Sequence, residues 1–214
     1  MLSIDQLLIL VPLFVISIGL HEAAHAYAVD YFGDPTPASQ GRLTLNPLAH
    51  LDPMGTLMLV FVGFGWGRSV LYNPNNLKSE KLSLGTMEQI IAAAGPLANL
   101  AQVIFFVLLM VLTLYVPLPA SFNTQSLMST LQLGALLNAL LMLLNLTPIP
   151  PLDGSKVIRP FLPYSLRQQF DALEPYGFVL LLALFFLPGV RDVYSGFLYG
   201  GSQLLIGFLM GPFI

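Results

Sequence analysis

The sequence predicts an all-α polytopic membrane protein of about five to six transmembrane segments, with a re-entrant or β-like loop after the first helix. Three observations carry this. Only 9% of the 214 residues are charged, where soluble domains carry about 25%. Mean hydropathy is +0.77. The apolar residues also come in runs of about 20, long enough at about 1.5 Å per residue to cross a ~30 Å hydrocarbon core.

The first run, Ile4 to Val29, has no basic residue before it and no small-residue cleavage site after it. It reads as a retained helix rather than a signal peptide. Gly33 to Pro53 is rich in turn residues around one strand-like piece, Gly41 to Leu45 (GRLTL). Met54 to Trp66 is glycine-rich and too short to cross as a helix, which favours a re-entrant or strand-like segment. Met87 to Val116 and Leu127 to Leu146 read as full spans. Thr147 to Lys156 cannot be helical throughout, because Pro148, Pro150 and Pro151 remove donors and clash with a preceding turn. Pro163 to Gly177 reads as a short interfacial helix, Tyr176 to Val190 as a shorter fifth span, and Val193 to Met210 as the last. In that last span the Gly196/Gly200 and Gly207/Gly211 pairs permit close helix approach. Packing within the protein is the usual reason; a homo-oligomer face or a substrate gate are the other uses.

Composition also excludes. A net charge of −3 with eight scattered Lys and Arg argues against nucleic acid. The absence of cysteine removes disulfides and thiolate metal sites. The partner implied by the apolar surface is the lipid bilayer.

The chain has three histidines, and two of them fall with a glutamate inside the first span, as His21-Glu22-Ala23-Ala24-His25. In a helix, residues i and i+4 lie on one face, so both imidazoles can bind one metal ion, with Glu22 near enough to act on water held there. Zinc suits imidazole nitrogen and makes bound water acidic; Glu22 would take its proton and later pass it to a leaving amine. A lone histidine near an apolar helix is usually a packed one. Three ionisable groups within five residues of a membrane span are costly and normally functional.

Catalytic zinc takes three protein ligands. Tyr31 stands where a third histidine of the extended motif would fall, and the next glutamate after Glu22 is Glu80. Asp30 and Asp34 are too close in sequence, which leaves His50 and Asp153. If Met54–Trp66 crosses the membrane, the first span and Leu127–Leu146 run antiparallel, and Asp153 lies up to ~30 Å from His25. If it dips and returns, the spans run parallel and His21, His25 and Asp153 meet at similar depth. The re-entrant arrangement also puts Arg42, Arg68, Lys78, Lys81, Lys156, Arg159 and Arg167 on one side and only Arg191 on the other. By the positive-inside rule the crowded side is cytoplasmic, the N-terminus outside, and the active site near the cytoplasmic side.

His21 to His25, Ala92 to Leu100 (AAAGPLANL) and Asn145 to Gly154 (NLTPIPPLDG) occur in this order, and together they resemble the site-2 protease family of intramembrane zinc metalloproteases. The likeness covers about residues 7 to 160 and looks closest to the compact bacterial and archaeal members, as does the segment Gly41 to Gly55. The resemblance implies His21, His25 and Asp153 as Zn2+ ligands, Glu22 as catalytic base, and Asn99 and Asn145 near the site. It makes residues 1–160 the catalytic core and 161–214 C-terminal helices of the same domain. An amide in an apolar span could stabilise an oxyanion or position substrate, or simply bond to another helix. Ser155 departs from the family's usual second glycine after Asp-Gly. His50 could contact metal, position substrate or cap a turn, the last two being favoured.

The implied activity is cleavage of single-span membrane proteins. A substrate helix must unwind and find new backbone partners, which the strand-like Gly41 to Leu45 or the extended run Pro148 to Leu152 could supply by β-addition. Asp34, Gln40, Asn46 and Asp52 are candidates to line a polar path for water, and Trp66 to anchor at the interface. The alternatives are a membrane metal-ion transporter or sensor, which would have no need of Glu22, and an inactive scaffold member, against which the intact motif speaks.

Overall fold

The computed structural model describes residues 4–62, 65–116, 119 and 123–213. Its helices are α1 (Ile4–Tyr31), α2 (Thr36–Ser39), α3 (Pro53–Val62), α4 (Leu84–Tyr115), α5 (Thr124–Asn145), α6 (Asp153–Ile158), α7 (Tyr164–Asp171), α8 (Gly177–Phe186) and α9 (Val190–Met210). Among the described residues, five segments are long and apolar enough to cross a membrane: Ile4–Tyr31, Leu84–Tyr115, Thr124–Asn145, Tyr164–Phe186 and Val190–Phe213. The chain is a multi-pass, all-α membrane protein. Its fourth span is broken, since α7 and α8 are separated by a turn and a short 3-10 helix at Glu174–Tyr176. The ten residues of α8 cover part of the predicted fifth span.

Three long helices make the centre. α4 begins where the Ser83 side chain accepts from Thr86 N–H, and α5 where Asn123 accepts from Ser126 N–H, each satisfying a donor that a helix start leaves free. α4 and α5 pack through Val103, Val107, Met110 and Val111 against Leu131, Ala135 and Ala139. Gly134 makes room for the Phe106 ring, which a Cβ there would meet at 2.6 Å. Phe14 and Ile18 of α1 pack with Leu59 of α3 and Leu141 of α5. Opposite faces present Leu8, Phe105, Leu108, Phe197 and Phe208, exposed as lipid-facing residues should be.

The segment after α1 enters and returns. Leu51 bridges antiparallel to Gly67, and Arg68 N–H donates to the His50 carbonyl at 2.8 Å, so both ends of the intervening stretch lie side by side. Ten-residue α3 reaches only roughly 15 Å, about half a hydrocarbon core. The limbs touch where both residues are glycine: a Cβ on Gly65 would sit 2.6 Å from the Gly55 carbonyl oxygen. Residues 63 and 64 of this predicted re-entrant segment lie outside the described residues.

Several expectations are corrected. Gly41 to Leu45 is not a strand; Thr44 N–H turns back onto the Arg42 carbonyl at 2.9 Å. Pro148 to Leu152 is not extended, because Ile149 and Leu152 N–H groups close successive turns onto Thr147 and Ile149. Neither stretch is a strand; both turn back on themselves. The irregular, non-helical run is instead residues 65–73, on the return limb. Apart from their own helix, no described residue comes within 4 Å of where a Cβ on Gly196, Gly200, Gly207 or Gly211 would be, so these pairs meet no other element among the described residues; Gly201 meets Leu143. Trp66 meets Phe178 edge-on, with ring centroids 6.3 Å apart.

Candidate metal centre

His21 and His25 lie one turn apart on the buried face of α1, 3% and 8% exposed. Each ring is fixed through Nδ1. His21 Nδ1–H donates to Asn99 Oδ1 on α4 at 2.6 Å, and His25 Nδ1–H donates to the Ile91 carbonyl at 2.7 Å. Both acceptors lack a proton, so each Nε2 carries a lone pair. The two Nε2 atoms are 3.1 Å apart, and Asp153 Oδ2 lies 3.3 and 3.2 Å from them. Ligand atoms of the three residues lie within 4.8 Å of one another.

Three electron-pair donors pointed at one another in a buried place repel unless a cation lies among them. Two imidazoles and a carboxylate are a zinc donor set, with a fourth position left for water or substrate. The backbone of α4 closes the other side: a Cβ on Gly95 would fall 2.6 Å from His21 Nε2 and nearer still to His25 Nε2. The residues present therefore fit the metal.

Asp153 arrives there because α5 ends at Asn145 and the turns of 147–152 fold back beneath it. α6 then starts directly against α5, where a Cβ on Gly154 would strike the Leu146 carbonyl. Ser155 is buried and donates to the Leu152 carbonyl at 2.6 Å, tightening that turn. Behind His21 the amides form a chain. Asn99 Nδ2 donates to Asn138 Oδ1, and Asn138 Nδ2 donates to Ser17 Oγ and the Gly134 carbonyl, each at 2.9 Å.

Glu22 is 6% exposed. Its Oε1 faces Gly67 on the return limb, and its Oε2 lies 3.9 Å from an Arg42 guanidinium nitrogen. Arg42 is buried and also donates to the Arg68 carbonyl. Burial pulls its pKa down and Glu22 partly restores it, but a guanidinium stays charged. A cavity of about 440 Å³ opens on His21, Glu22, His25 and Asp153. Its walls are mostly apolar, with Trp66, Phe178, Leu181 and Phe185 among them, and Asn145 lines it too. A polar cleft of about 500 Å³ adjoins it, sharing Ser69, Tyr72, Pro151 and Lys156. Burial and Glu88 push the Tyr72 hydroxyl up to about 12, so it remains neutral.

The other sequence candidates fall elsewhere. Asn99 does not line the cavity; its oxygen is committed to His21. Asn145 does line it, and its Nδ2 donates to Leu141. His50 is outside the cluster, wholly buried, with Nε2–H donating to the Thr44 carbonyl at 2.9 Å. Burial and nearby Arg42 lower its pKa. Neither Asp34, Gln40, Asn46 nor Asp52 lines the cavity. Asp34 ties loops together, while Asn46 and Asp52 cap the turns that follow them. Sequence reasoning missed Asn138 and Ser17, which the argument applied to Asn99 would have reached, and Arg42, which it counted only as a topology marker.

The fold and the centre define a zinc metalloprotease of the membrane. The chain is 40% identical over 181 residues, 84% of its length and 80% of the relative's, to "Putative zinc metalloprotease YwhC" of Bacillus subtilis. It is 31% identical over 195 residues, 87% of its length and 70% of the relative's, to "Putative zinc metalloprotease Rip2" of Mycobacterium tuberculosis, and 29% identical to the Rip2 of Mycolicibacterium smegmatis over 87% and 70%. No family model matches it, and neither does any solved structure. It belongs to the site-2 protease family.

Proposed function

We propose that the chain is an intramembrane endopeptidase that cleaves transmembrane segments of single-span proteins, with His21, His25 and Asp153 as zinc ligands and Glu22 as base. The supporting observation is the meeting of those three side chains, from α1 and from α6 more than a hundred residues on, at the apolar cavity that also holds Glu22. Zinc held there supplies Lewis-acid activation of water, lowering its pKa toward ~7. Glu22 takes the proton from the attacking water and delivers it to the departing amine. Asn99 keeps the His21 ring in the tautomer that leaves Nε2 available, and Asn145 holds substrate backbone in the cavity. The apolar walls receive the side chains of a locally unwound helix, and the irregular run 65–73 offers it backbone partners, in place of the two stretches that turn back on themselves.

The one-sided distribution of basic residues supports an outside N-terminus with the site toward the cytoplasm. Residues 1–160 hold the catalytic groups, and 161–214 complete the same domain through α8, which walls the cavity. The test is cleavage of a peptide with one transmembrane segment by zinc-loaded protein in nanodiscs, with zinc content measured alongside. Glu22→Gln should keep zinc and lose cleavage, and Asp153→Ala should lose both. Full activity in Glu22→Gln would remove Glu22 from the role of base.

A further inference from the structure

Arg42 is 3% exposed, in a loop that otherwise consists of turns, and its guanidinium points at Glu22. The contact is not that of an optimised ion pair. The separation is 3.9 Å; among the described residues, Arg42 Nε and Glu22 Oε2 are both buried without a hydrogen-bond partner, and the guanidinium donates to the Arg68 carbonyl. Burying a charge in this way costs more than an apolar residue of similar size would, so stability does not explain it.

What the arrangement does achieve is orientation. Glu22 is held on two sides: Gly67 abuts Oε1 and Arg42 faces Oε2. Arg42 is itself tied to the return limb one residue beyond Gly67, and that limb is pinned by the Leu51–Gly67 bridge and the Arg68-to-His50 hydrogen bond. We propose that Arg42 is a positioning residue for Glu22: its guanidinium holds the carboxylate with one oxygen turned back and the other presented to the cavity. This rests on the reading of Glu22 as base. Lysine, a single point charge on a flexible stem, can keep the attraction but not serve both the Arg68 carbonyl and Glu22 with a rigid fork.

The test is steady-state cleavage of a peptide with one transmembrane segment by zinc-loaded Arg42→Met and Arg42→Lys in nanodiscs, with zinc content and Tm recorded. In Arg42→Met, kcat should fall about 10- to 100-fold, the range for residues that orient a catalytic group. KM and zinc content should stay unchanged, and Arg42→Lys should recover part of the loss. An unchanged kcat in Arg42→Met, a kcat that falls only in step with zinc content and Tm, or equal losses in the two variants would overturn the proposal. If Arg42→Met does not fold, Arg42→Gln carries the same comparison. Glu22→Gln run in parallel separates the two readings. If it is inactive while Arg42→Met keeps full kcat, only the role of Arg42 is lost; if it is fully active, the base assignment itself goes.

Discussion

His21 and Asn99, 78 residues apart, are joined between α1 and α4 by a 2.6 Å hydrogen bond from Nδ1 to Oδ1. That bond sets which ring nitrogen faces His25 and Asp153. It is backed by Asn138 and Ser17, so the amide oxygen cannot swing away without breaking a second bond. Asn99→Leu, which fills the space without an acceptor, should weaken zinc binding about 10- to 100-fold in competition against a chelator. Asn99→Asp, which keeps an acceptor, should lose less. Equal zinc affinity in Asn99→Leu and the parent would show that the ring needs no such support.

Gly95 sits where α4 meets the Nε2 atoms of His21 and His25. A methyl group there would occupy the space beside His21 Nε2 and His25 Nε2. Gly95→Ala should therefore abolish stoichiometric zinc while leaving helix content by circular dichroism intact, since alanine is the better helix former. Gly196→Ala, at a position with open space around it, serves as the control and should keep its zinc.

Much of this was legible in the sequence, for reasons that differ by element. The four long spans follow from apolar length alone, and His21, Glu22 and His25 from helical spacing. Asp153 required the topology of the segment after α1, and the Leu51–Gly67 bridge resolves that in favour of return. Arg42, Gly41 to Leu45 and Pro148 to Leu152 were not legible in the same way. A strand-like pattern of five residues has no strand to pair with among the described residues, and β-propensity without a partner strand folds into turns. Nor does composition reveal that one arginine among eight basic residues points inward, because burial of a charge is a tertiary fact.

Asp34 gives a pH-dependent prediction away from the centre. Its carboxylate is fully buried and accepts from Thr36 N–H and Oγ–H, Asn73 N–H and Asn76 Nδ2, joining the loop after α1 to the loop before α4. Burial alone would raise its pKa, but these four donors outweigh it and hold it below the usual value. A folded pKa below the unfolded one means that the stabilisation is complete above the unfolded pKa of about 3.9 and is lost as pH falls through the folded value. Asp34→Asn should lower Tm clearly at pH 7 in detergent. The gap from the parent should narrow as the pH is lowered below about 4; a gap independent of pH would assign the effect to shape rather than charge.

Gly67 tests whether the return limb governs Glu22 separately from the metal. A Cβ there would lie 2.8 Å from Ile18 Cγ1 and 3.2 Å from Glu22 Oε1, while His21, His25 and Asp153 are not among its nearest neighbours. A valine must push the limb off α1 or turn the carboxylate, and either moves Glu22 without touching a proposed ligand. Gly67→Val should therefore bind zinc stoichiometrically yet cleave a transmembrane peptide at a small fraction of the parent rate, the reverse of the zinc loss expected at Gly95. Zinc lost from Gly67→Val at unchanged Tm would mean that the limb supports the ligands themselves, and the separation drawn here between holding the metal and aiming the base would not stand.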